Sequence, residues 1–213
     1  MNLQQLLDQF TEGMRNTTAL EYIAVVSGIA SVWFSRLENI WVYPVGLVST
    51  VLYVYISLEG NLFGEASVNV YYTIMSVYGW LLWAKKNRHR QHVVKITRST
   101  TREWTGHLLF FIACYGIIFF SLRFLQRVVA PQAIPWADAL ASASAFAGMW
   151  LMAKKKVESW YWWIFTNLVS IPLYFVKSYV FTSVLYLVLL IMAFWGLAEW
   201  KKRAALYRAP QEG

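Results

Sequence analysis

Seven apolar stretches dominate the pattern of hydrophobic and polar residues along the chain. Each is long enough to cross roughly 30 Å of hydrocarbon as an α-helix. A helix satisfies its own backbone hydrogen bonds in lipid, whereas barrel strands would be shorter and would alternate in polarity. The pattern therefore predicts an all-α integral membrane protein. Its seven transmembrane helices are expected at 18–34, 40–58, 66–84, 106–122, 136–153, 159–176 and 179–197.

Residues 1–17 carry a separate, amphipathic pattern. Leu3, Leu6, Leu7, Phe10 and Met14 recur at helical spacing with polar residues between them. A helix with a single apolar face lies in the plane of the membrane interface. This segment therefore predicts an interfacial helix on the outer face, with a frayed tail as the alternative.

The composition supports a membrane protein and argues against an enzyme. Of the 213 residues, 58% are hydrophobic and 14% are charged, whereas a soluble domain is about 45–50% apolar and 25% charged. The single Cys114 and the three histidines, all in or beside one basic loop, do not form a zinc-binding pattern. We expect no metal site, no cofactor and no catalytic residues.

The loop charges predict the orientation in the membrane. With the N-terminus outside, 15 of the 19 Lys and Arg residues fall in the segments 35–39, 85–105, 154–158 and the tail from 201. Cytoplasmic loops are enriched in Lys and Arg, so the N-terminus is predicted outside and the C-terminus in the cytoplasm. The basic loop 85–105 has anionic lipid or nucleic acid as alternative partners, but topology alone explains its charge, and we expect no nucleic-acid partner.

The two halves of the chain resemble each other at an offset of 117 residues. The matches include Trp33 with Trp150, Gly79 with Gly196 and Trp83 with Trp200. Leu52-Tyr53 matches Leu173-Tyr174 at an offset of 121, which predicts a four-residue insertion within the second half. The predicted organisation is an outer segment 1–17, a three-helix repeat 18–84, a basic loop 85–105, a linker helix and outer loop 106–135, a second repeat 136–200 and a tail 201–213.

This 3+1+3 plan is typical of a transporter. An odd linker helix lets both triplets enter the membrane in the same direction, as parallel repeats, and substrate then binds between the repeats near the midplane. Glu21 and Asp138 occupy equivalent places near the outer ends of spans one and five. They are predicted to be interface residues rather than a proton relay, which favours a uniporter.

Polar and aromatic residues within the spans are the candidates for substrate contact. Trp160, Trp163 and Asn167 share one face of span six, where Trp rings can bind a cation and an amide can bind a carboxamide or a sugar diol. The alternative for this face is an aromatic belt at the membrane surface. The other candidates, for which hydrogen bonding between helices is the alternative, are Asn69, Tyr72, Ser76 and Tyr186.

Several of these segments resemble the PnuC family of bacterial vitamin transporters. They are the stretch from Trp41 to Leu47, Tyr78-Gly79-Trp80, Trp160-x-x-Trp163-x-x-x-Asn167 and Ile171-Pro172-Leu173-Tyr174. The resemblance covers roughly residues 21–202. It implies a fold shared in outline with the SWEET sugar transporters, a location in the bacterial inner membrane and a homo-oligomer, expected as a trimer.

The same resemblance implies facilitated diffusion of a vitamin precursor that a separate kinase traps inside the cell. Nicotinamide riboside, with its pyridinium cation, carboxamide and ribose, is the favoured substrate because Asn167 is neutral. Thiamine is the alternative within the family, and a SWEET-like sugar transporter is a further alternative. Many members carry Ala-Gln before the Trp of span five, whereas this chain has Gly148-Met149 before Trp150.

Overall fold

Eight α-helices make up most of the protein. The computed structural model describes residues 3–60, 63–87, 93–125 and 133–208. The helices within these residues are α1 (Leu3–Asn16), α2 (Ala19–Arg36), α3 (Val42–Glu59), α4 (Phe63–Ala84), α5 (Thr101–Leu125), α6 (Pro135–Ala153), α7 (Ser159–Val176) and α8 (Val180–Arg208). The prediction of an all-helical protein is confirmed for this part of the chain.

The seven predicted spans correspond in order to α2–α8. By length and composition, α3, α5 and α8 can each cross a membrane, and α1 with α2 makes a fourth such unit if the two are counted as one bent span. Two helices extend beyond their predicted spans. Helix α5 begins at Thr101, inside the expected loop 85–105, and α8 runs on to Arg208 through most of the expected tail. The last turns of α8 contain good helix formers and an ion pair between Glu199 and Arg203 at 2.9 Å.

The predicted interfacial segment is helical, so the frayed-tail alternative is wrong. Helix α1 meets α2 at an angle of 107°. Thr18 forms a capping box with Glu21 at the start of α2, which satisfies backbone N–H groups at the bend. Phe10 packs against Phe181 at 5.7 Å between ring centroids, which holds α1 against α8. The side chains of Leu3 and Leu6 lie outside the described part of the structure.

Six of the helices form a closed ring. Within each half, the second helix packs between the first and the third, giving α2–α3–α4 and α6–α7–α8. The halves meet at two interfaces, α4 against α6 and α2 against α8, and α5 packs on the outside of α6. The end where α2, α4 and α6 finish and α3 and α7 begin is here called the basic end, because Lys85 and Lys154–Lys156 lie there.

The repeat keeps one register through all three helices. Helices α3 and α7 both contain 18 residues, and their bounds differ by 117 at each end. The last residues of α2 and α6 also differ by 117. The predicted four-residue insertion is therefore wrong, and the Leu-Tyr match at an offset of 121 is fortuitous. Glu38 and Lys155, again 117 apart, both adopt left-handed φ angles of 58° and 52° in the turn that follows the first helix of each repeat.

Two contacts join residues to their own equivalents in the other half. Ser35 Oγ donates to Met152 Sδ at 2.9 Å, and Lys155 Nζ donates to Glu38 Oε1 at 2.7 Å, and the members of each pair are 117 residues apart. A residue touches its own symmetry mate only beside a two-fold axis. A pseudo-two-fold axis therefore passes through the basic end, between the tips of α2 and α6.

Replacing Glu38 with Gln is expected to destabilise the protein by about 3 kcal/mol, because it leaves Lys155 as a buried, unpaired charge. The side chain of Lys155 is only 5% exposed and that of Glu38 only 11%. The measurement is thermal unfolding in detergent. Glu199→Gln, which removes an ion pair with both partners about one-third exposed, is the control and is expected to lose under about 1 kcal/mol. Equal losses of stability in the two variants would show that burial of the Glu38–Lys155 pair does not set its contribution.

Candidate functional site

Helices α4, α6 and α7 bring together a cluster of aromatic rings. The ring of Tyr72 lies 6.2 Å from that of Trp163 and 6.3 Å from that of Phe146, measured between centroids. Trp163 can lie close to α6 because position 148 is glycine, where a Cβ would come within 3.1 Å of the indole. Tyr71 stacks on Phe146 at 4.0 Å and its hydroxyl donates to the Phe146 carbonyl at 3.0 Å. Three helices from both halves thus fix these rings.

Asn167 lies one turn beyond Trp163 on α7 and is buried, with 3% of its surface exposed. Its neighbour Thr166 has a partner, since the hydroxyls of Thr166 and Ser144 are 2.9 Å apart. The Asn167 carboxamide, in contrast, makes no hydrogen bond to any residue in the described ranges. The amide atoms are not among the fully enclosed unpaired side-chain atoms of the described residues, so they keep some access to the space between the helices. An amide in this state is available to a ligand.

Tyrosines line the ring toward the opposite end. The rings of Tyr174 and Tyr186 stack at 5.2 Å between centroids, which joins α7 to α8. Tyr53, from the other repeat, lies within electrostatic range of Tyr186 and of Glu65. A substrate contact at Tyr186, between the repeats, stays a prediction.

The remaining candidates on α4 differ in how far their polar groups are already used. Asn69 donates from Nδ2 to the Glu65 carbonyl of its own helix at 3.0 Å. Ser76 is buried, at 3% exposure. Thr73, which lies between them, shares a hydrogen bond of 3.0 Å with Thr50 of α3. The polar face of α4 thus serves packing within the first repeat as well as the interior of the ring.

Trp160 lies apart from Trp163 and Asn167, in a layer of four aromatic rings that crosses the basic end. Tyr43 meets Trp83 at 5.1 Å, Trp83 meets Trp200 at 6.1 Å, and Trp200 meets Trp160 at 5.6 Å. This aromatic barrier consists of two equivalent pairs. Tyr43 rests on Gly79 just as Trp160 rests on Gly196, and in both places a Cβ would overlap the ring.

Each half also locks onto the other through an indole in the barrier. Trp83 Nε1 donates to the Ala153 carbonyl and Trp200 Nε1 to the Ser35 carbonyl, both at 3.0 Å. These carbonyls lie in the last turns of α6 and α2, where helix carbonyls lack the usual N–H partner four residues further on. The barrier therefore closes the basic end by cross-bonding the two repeats.

A strap formed by residues 93–99 covers the barrier. Ile96 is fully buried in the same cluster as Trp83, Trp160 and Trp200. Backbone bonds from Thr97 N to the Lys155 carbonyl at 3.1 Å and from Val157 N to the Thr97 carbonyl at 3.0 Å fasten the strap to the turn between α6 and α7. The sequence analysis missed this role. The one signal was a Val-Val-Lys-Ile stretch within an otherwise polar loop, of which residues 88–92 lie outside the described part.

Replacing Ile96 with Ala is expected to loosen the strap, because truncating a buried Ile costs about 2–5 kcal/mol. The measurement is the rate of trypsin cleavage at Lys95 and Arg98, which should rise while the rest of the protein stays folded. Val93→Ala, at a position that is 50% exposed, is the control and should leave the rate unchanged. An unchanged rate in Ile96→Ala would show that Ile96 does not hold the strap.

The acidic residues near the starts of α2 and α6 have structural partners. Glu21 accepts from the Thr18 backbone N–H at 2.6 Å within the capping box. Asp138 pairs with Lys177 at 2.7 Å and accepts from the Ile134 N–H. Both carboxylates cap a helix, and their role as interface residues rather than a proton relay stays a prediction.

Comparison with known proteins identifies the family. A family model described as nicotinamide mononucleotide transporter matches residues 18–202, which include α2–α7 and most of α8. The chain belongs to this family. The match extends over both repeats and the linker helix, so the whole ring is part of the family's common structure.

Curated relatives of the family transport vitamins. The riboflavin/roseoflavin transporter RibM of Streptomyces davaonensis is 23% identical over 86% of this chain and 85% of its own length. The nicotinamide riboside transporter PnuC is 22% identical in Escherichia coli, over 85% of this chain and 84% of its own length. The protein of the same name in Neisseria mucosa is 26% identical, over 86% of this chain and 72% of its own length.

A solved structure shares the fold. The crystal structure of the vitamin B3 transporter PnuC aligns with a TM-score of 0.71 at 24% identity, covering 96% of this chain and 90% of that chain. The chain is therefore a membrane transporter of a vitamin-transporting family and not an enzyme, and the family resemblance predicted from its motifs is confirmed.

Proposed function

We propose that this protein takes up a cationic vitamin precursor, first of all nicotinamide riboside, by facilitated diffusion across the bacterial inner membrane. The observation that carries the proposal is the Asn167 amide, which has no hydrogen-bond partner among the described residues and lies one turn from Trp163, whose ring is near that of Tyr72. An amide both donates and accepts hydrogen bonds, so it matches a carboxamide. Aromatic faces attract a desolvated cation by about 2 kcal/mol.

The proposed site assigns a role to each candidate. Trp163 and Tyr72 stack on the pyridinium, and Asn167 pairs with the carboxamide. Tyr186 and Ser76 offer hydroxyls to the ribose, and Asn69 uses the carbonyl oxygen of its side chain, because its Nδ2 is bonded within α4. Trp160 acts from the aromatic barrier, where it limits how far the substrate advances. Metal ions and cofactors have no part in this proposal.

The proposed membrane arrangement has all of α2–α8 crossing the bilayer, as two parallel triplets joined by α5 in a SWEET-like 3+1+3 plan. The N-terminus lies outside, which places the basic end in the cytoplasm. The equal register of the repeats and the contacts between equivalent residues support parallel triplets. The domain bounds follow from the sequence analysis, with the tail helical up to Arg208 and residues 126–132 and 209–213 outside the described part. The oligomer is proposed as a trimer.

In the proposed transport cycle, the substrate site opens to one side of the membrane at a time, and separation of the aromatic barrier opens it at the basic end. In this structure the four rings and the strap close the basic end. Entry of substrate from the opposite side fills the ring, and the repeats then rock so that the cross-bonds of Trp83 and Trp200 break. Because Glu21 and Asp138 are engaged in caps, no ion coupling is proposed, and a separate kinase makes uptake one-way by phosphorylating the product.

Isothermal calorimetry on the purified protein tests the substrate, with nicotinamide riboside, thiamine and riboflavin side by side. Nicotinamide riboside is expected to bind at least about tenfold more tightly than either, which is a difference of 1.4 kcal/mol. Riboflavin is included because RibM is similar over most of this chain. Tight binding of thiamine or riboflavin alone would show that nicotinamide riboside is not the substrate. The proposed fold and binding site would still stand. Displacement by glucose or sucrose would favour the SWEET-like sugar transporter.

A further inference from the structure

The two interfaces between the repeats are equivalent by symmetry but are filled differently. At the α4–α6 interface, Tyr71 stacks on Phe146 and bonds to its carbonyl. The positions 117 residues away are Val188 and Ile29 at the α2–α8 interface. These smaller side chains leave an apolar groove of about 510 Å³, lined by Val26, Ile29, Ala30, Trp33, Phe34, Val188, Met192 and Trp195.

The groove lies on the outside of the ring. In the other half of the chain, α5 covers the equivalent face. Trp150 packs against Phe110 of α5 at 4.8 Å and against His107 at 5.8 Å. Its equivalent, Trp33, has no counterpart of α5 beside it among the described residues, and is 43% exposed. Trp195, across the groove, is 52% exposed. A bilayer-facing groove of this kind requires an apolar occupant.

A cation lies at the end of the groove where α2 finishes. The Arg36 guanidinium is 4.6 Å from the centroid of the Trp33 ring and 5.7 Å from that of Trp195, so it rests between the two indoles. Its Nε is buried and has no hydrogen-bond partner in the described ranges. Glu199 lies within electrostatic range of Arg36, but its Oε1 is paired with Arg203 at 2.9 Å. The guanidinium is therefore positioned for an external anion.

We propose that the groove between α2 and α8 binds one anionic phospholipid. Its acyl chain fills the apolar groove, in the place that Tyr71 and Phe146 fill at the other interface, and its phosphate pairs with Arg36. Burial at the end of a transmembrane helix places Arg36 at headgroup depth, where Arg binds phosphate in bidentate fashion. With the orientation proposed above, the lipid comes from the cytoplasmic leaflet. Because the groove spans both repeats, the lipid stabilises their contact on this side.

The test compares phosphatidylglycerol with phosphatidylcholine of the same acyl chains, added to the full-length protein in detergent. Bound lipid is counted by native mass spectrometry and stability is followed by thermal unfolding. Phosphatidylglycerol is expected to bind more tightly and to raise Tm more than phosphatidylcholine. Arg36→Gln should weaken phosphatidylglycerol binding by about fivefold or more, since one basic residue contributes about that factor toward an anionic headgroup. It should weaken phosphatidylcholine binding less, because the choline cation offsets the phosphate charge of that lipid. Arg102→Gln, a matched loss of charge at the exposed start of α5, is the control and should leave both lipids unchanged.

A second variant tests the groove itself. Ala30→Leu should reduce the number of bound phosphatidylglycerol molecules by one, because the added side chain occupies the acyl-chain volume. Equal responses of Arg36→Gln and Arg102→Gln, or equal effects of the two lipids on the wild type, would overturn the proposal. If Ala30→Leu changes the oligomeric mass while the lipid count stays the same, a second copy of the chain covers the groove and the lipid site is wrong. If Arg36→Gln does not fold, Trp195→Leu removes the exposed half of the clamp and serves in its place.

Discussion

Replacing Asn167 with Leu is expected to weaken binding of nicotinamide riboside about tenfold or more, because one or two hydrogen bonds in a dry site contribute 1–3 kcal/mol. The protein should still fold. The Asn167 amide makes no hydrogen bond within the described ranges, so leucine removes no structural hydrogen bond. Calorimetry measures the affinity, and thermal unfolding shows that the variant is intact.

Asn69→Leu is the matched comparison for Asn167→Leu. The Asn69 amide already donates to the Glu65 carbonyl at 3.0 Å, so only its oxygen is free for substrate. Its replacement should lower affinity by less than that of Asn167. Wild-type affinity in Asn167→Leu would remove Asn167 from the site. A loss of affinity accompanied by an equal drop in Tm for both variants would mean that packing, and not substrate contact, is being measured.

Replacing Gly196 with Ala is expected to destabilise the closed barrier by about 1–3 kcal/mol, the usual cost of overpacking a core. A Cβ at this position overlaps the six-membered ring of Trp160, which is 1% exposed and enclosed by Trp200 and the strap. At about 2–4 °C per kcal/mol for a chain of this size, Tm should fall by several degrees.

Gly116→Ala is the matched control for Gly196→Ala. A Cβ at Gly116 of α5 meets nothing within 4 Å, so alanine there should raise stability by up to about 1 kcal/mol through its better helix propensity. The double variant Gly196→Ala/Trp160→Leu should recover part of the loss, because it removes the overlapping ring. Losses that simply add in the double variant would show that Gly196 does not act through Trp160.

The helices and their repeat were predictable because they depend on short-range patterns. Helix content in lipid follows from the length of each apolar run, and the seven runs became α2–α8. The offset of 117 residues was visible in the Trp and Gly matches, and the structure keeps it at the bounds of α3 and α7. The insertion inferred from Leu52-Tyr53 was wrong because a dipeptide match carries no information about which side chain faces the ring.

The places of Trp160, Trp163 and Ile96 depended on packing that helical spacing does not reveal. Trp160 and Trp163 share a face of α7, yet Trp160 is held by Gly196 of α8 and Trp163 by Gly148 of α6. The difference arises from which neighbouring helix presents a glycine at that depth. In the sequence, Ile96 looked like part of a solvated basic loop. In the structure, the strap bonds to Lys155–Val157, which lie over 50 residues further along the chain. Contacts this far apart in sequence leave no local signal.

The sequence by itself determined the helical class, the repeat and the family, because these follow from apolar length, recurring small and aromatic residues, and motifs that are local in the chain. Only the tertiary structure decided which residues belong to the barrier and which to the middle of the ring. It also decided which amide is left unpaired, and that one repeat interface is filled by aromatic rings while its twin is an open groove. These are properties of the space between helices, and that space is defined only when all six surround it.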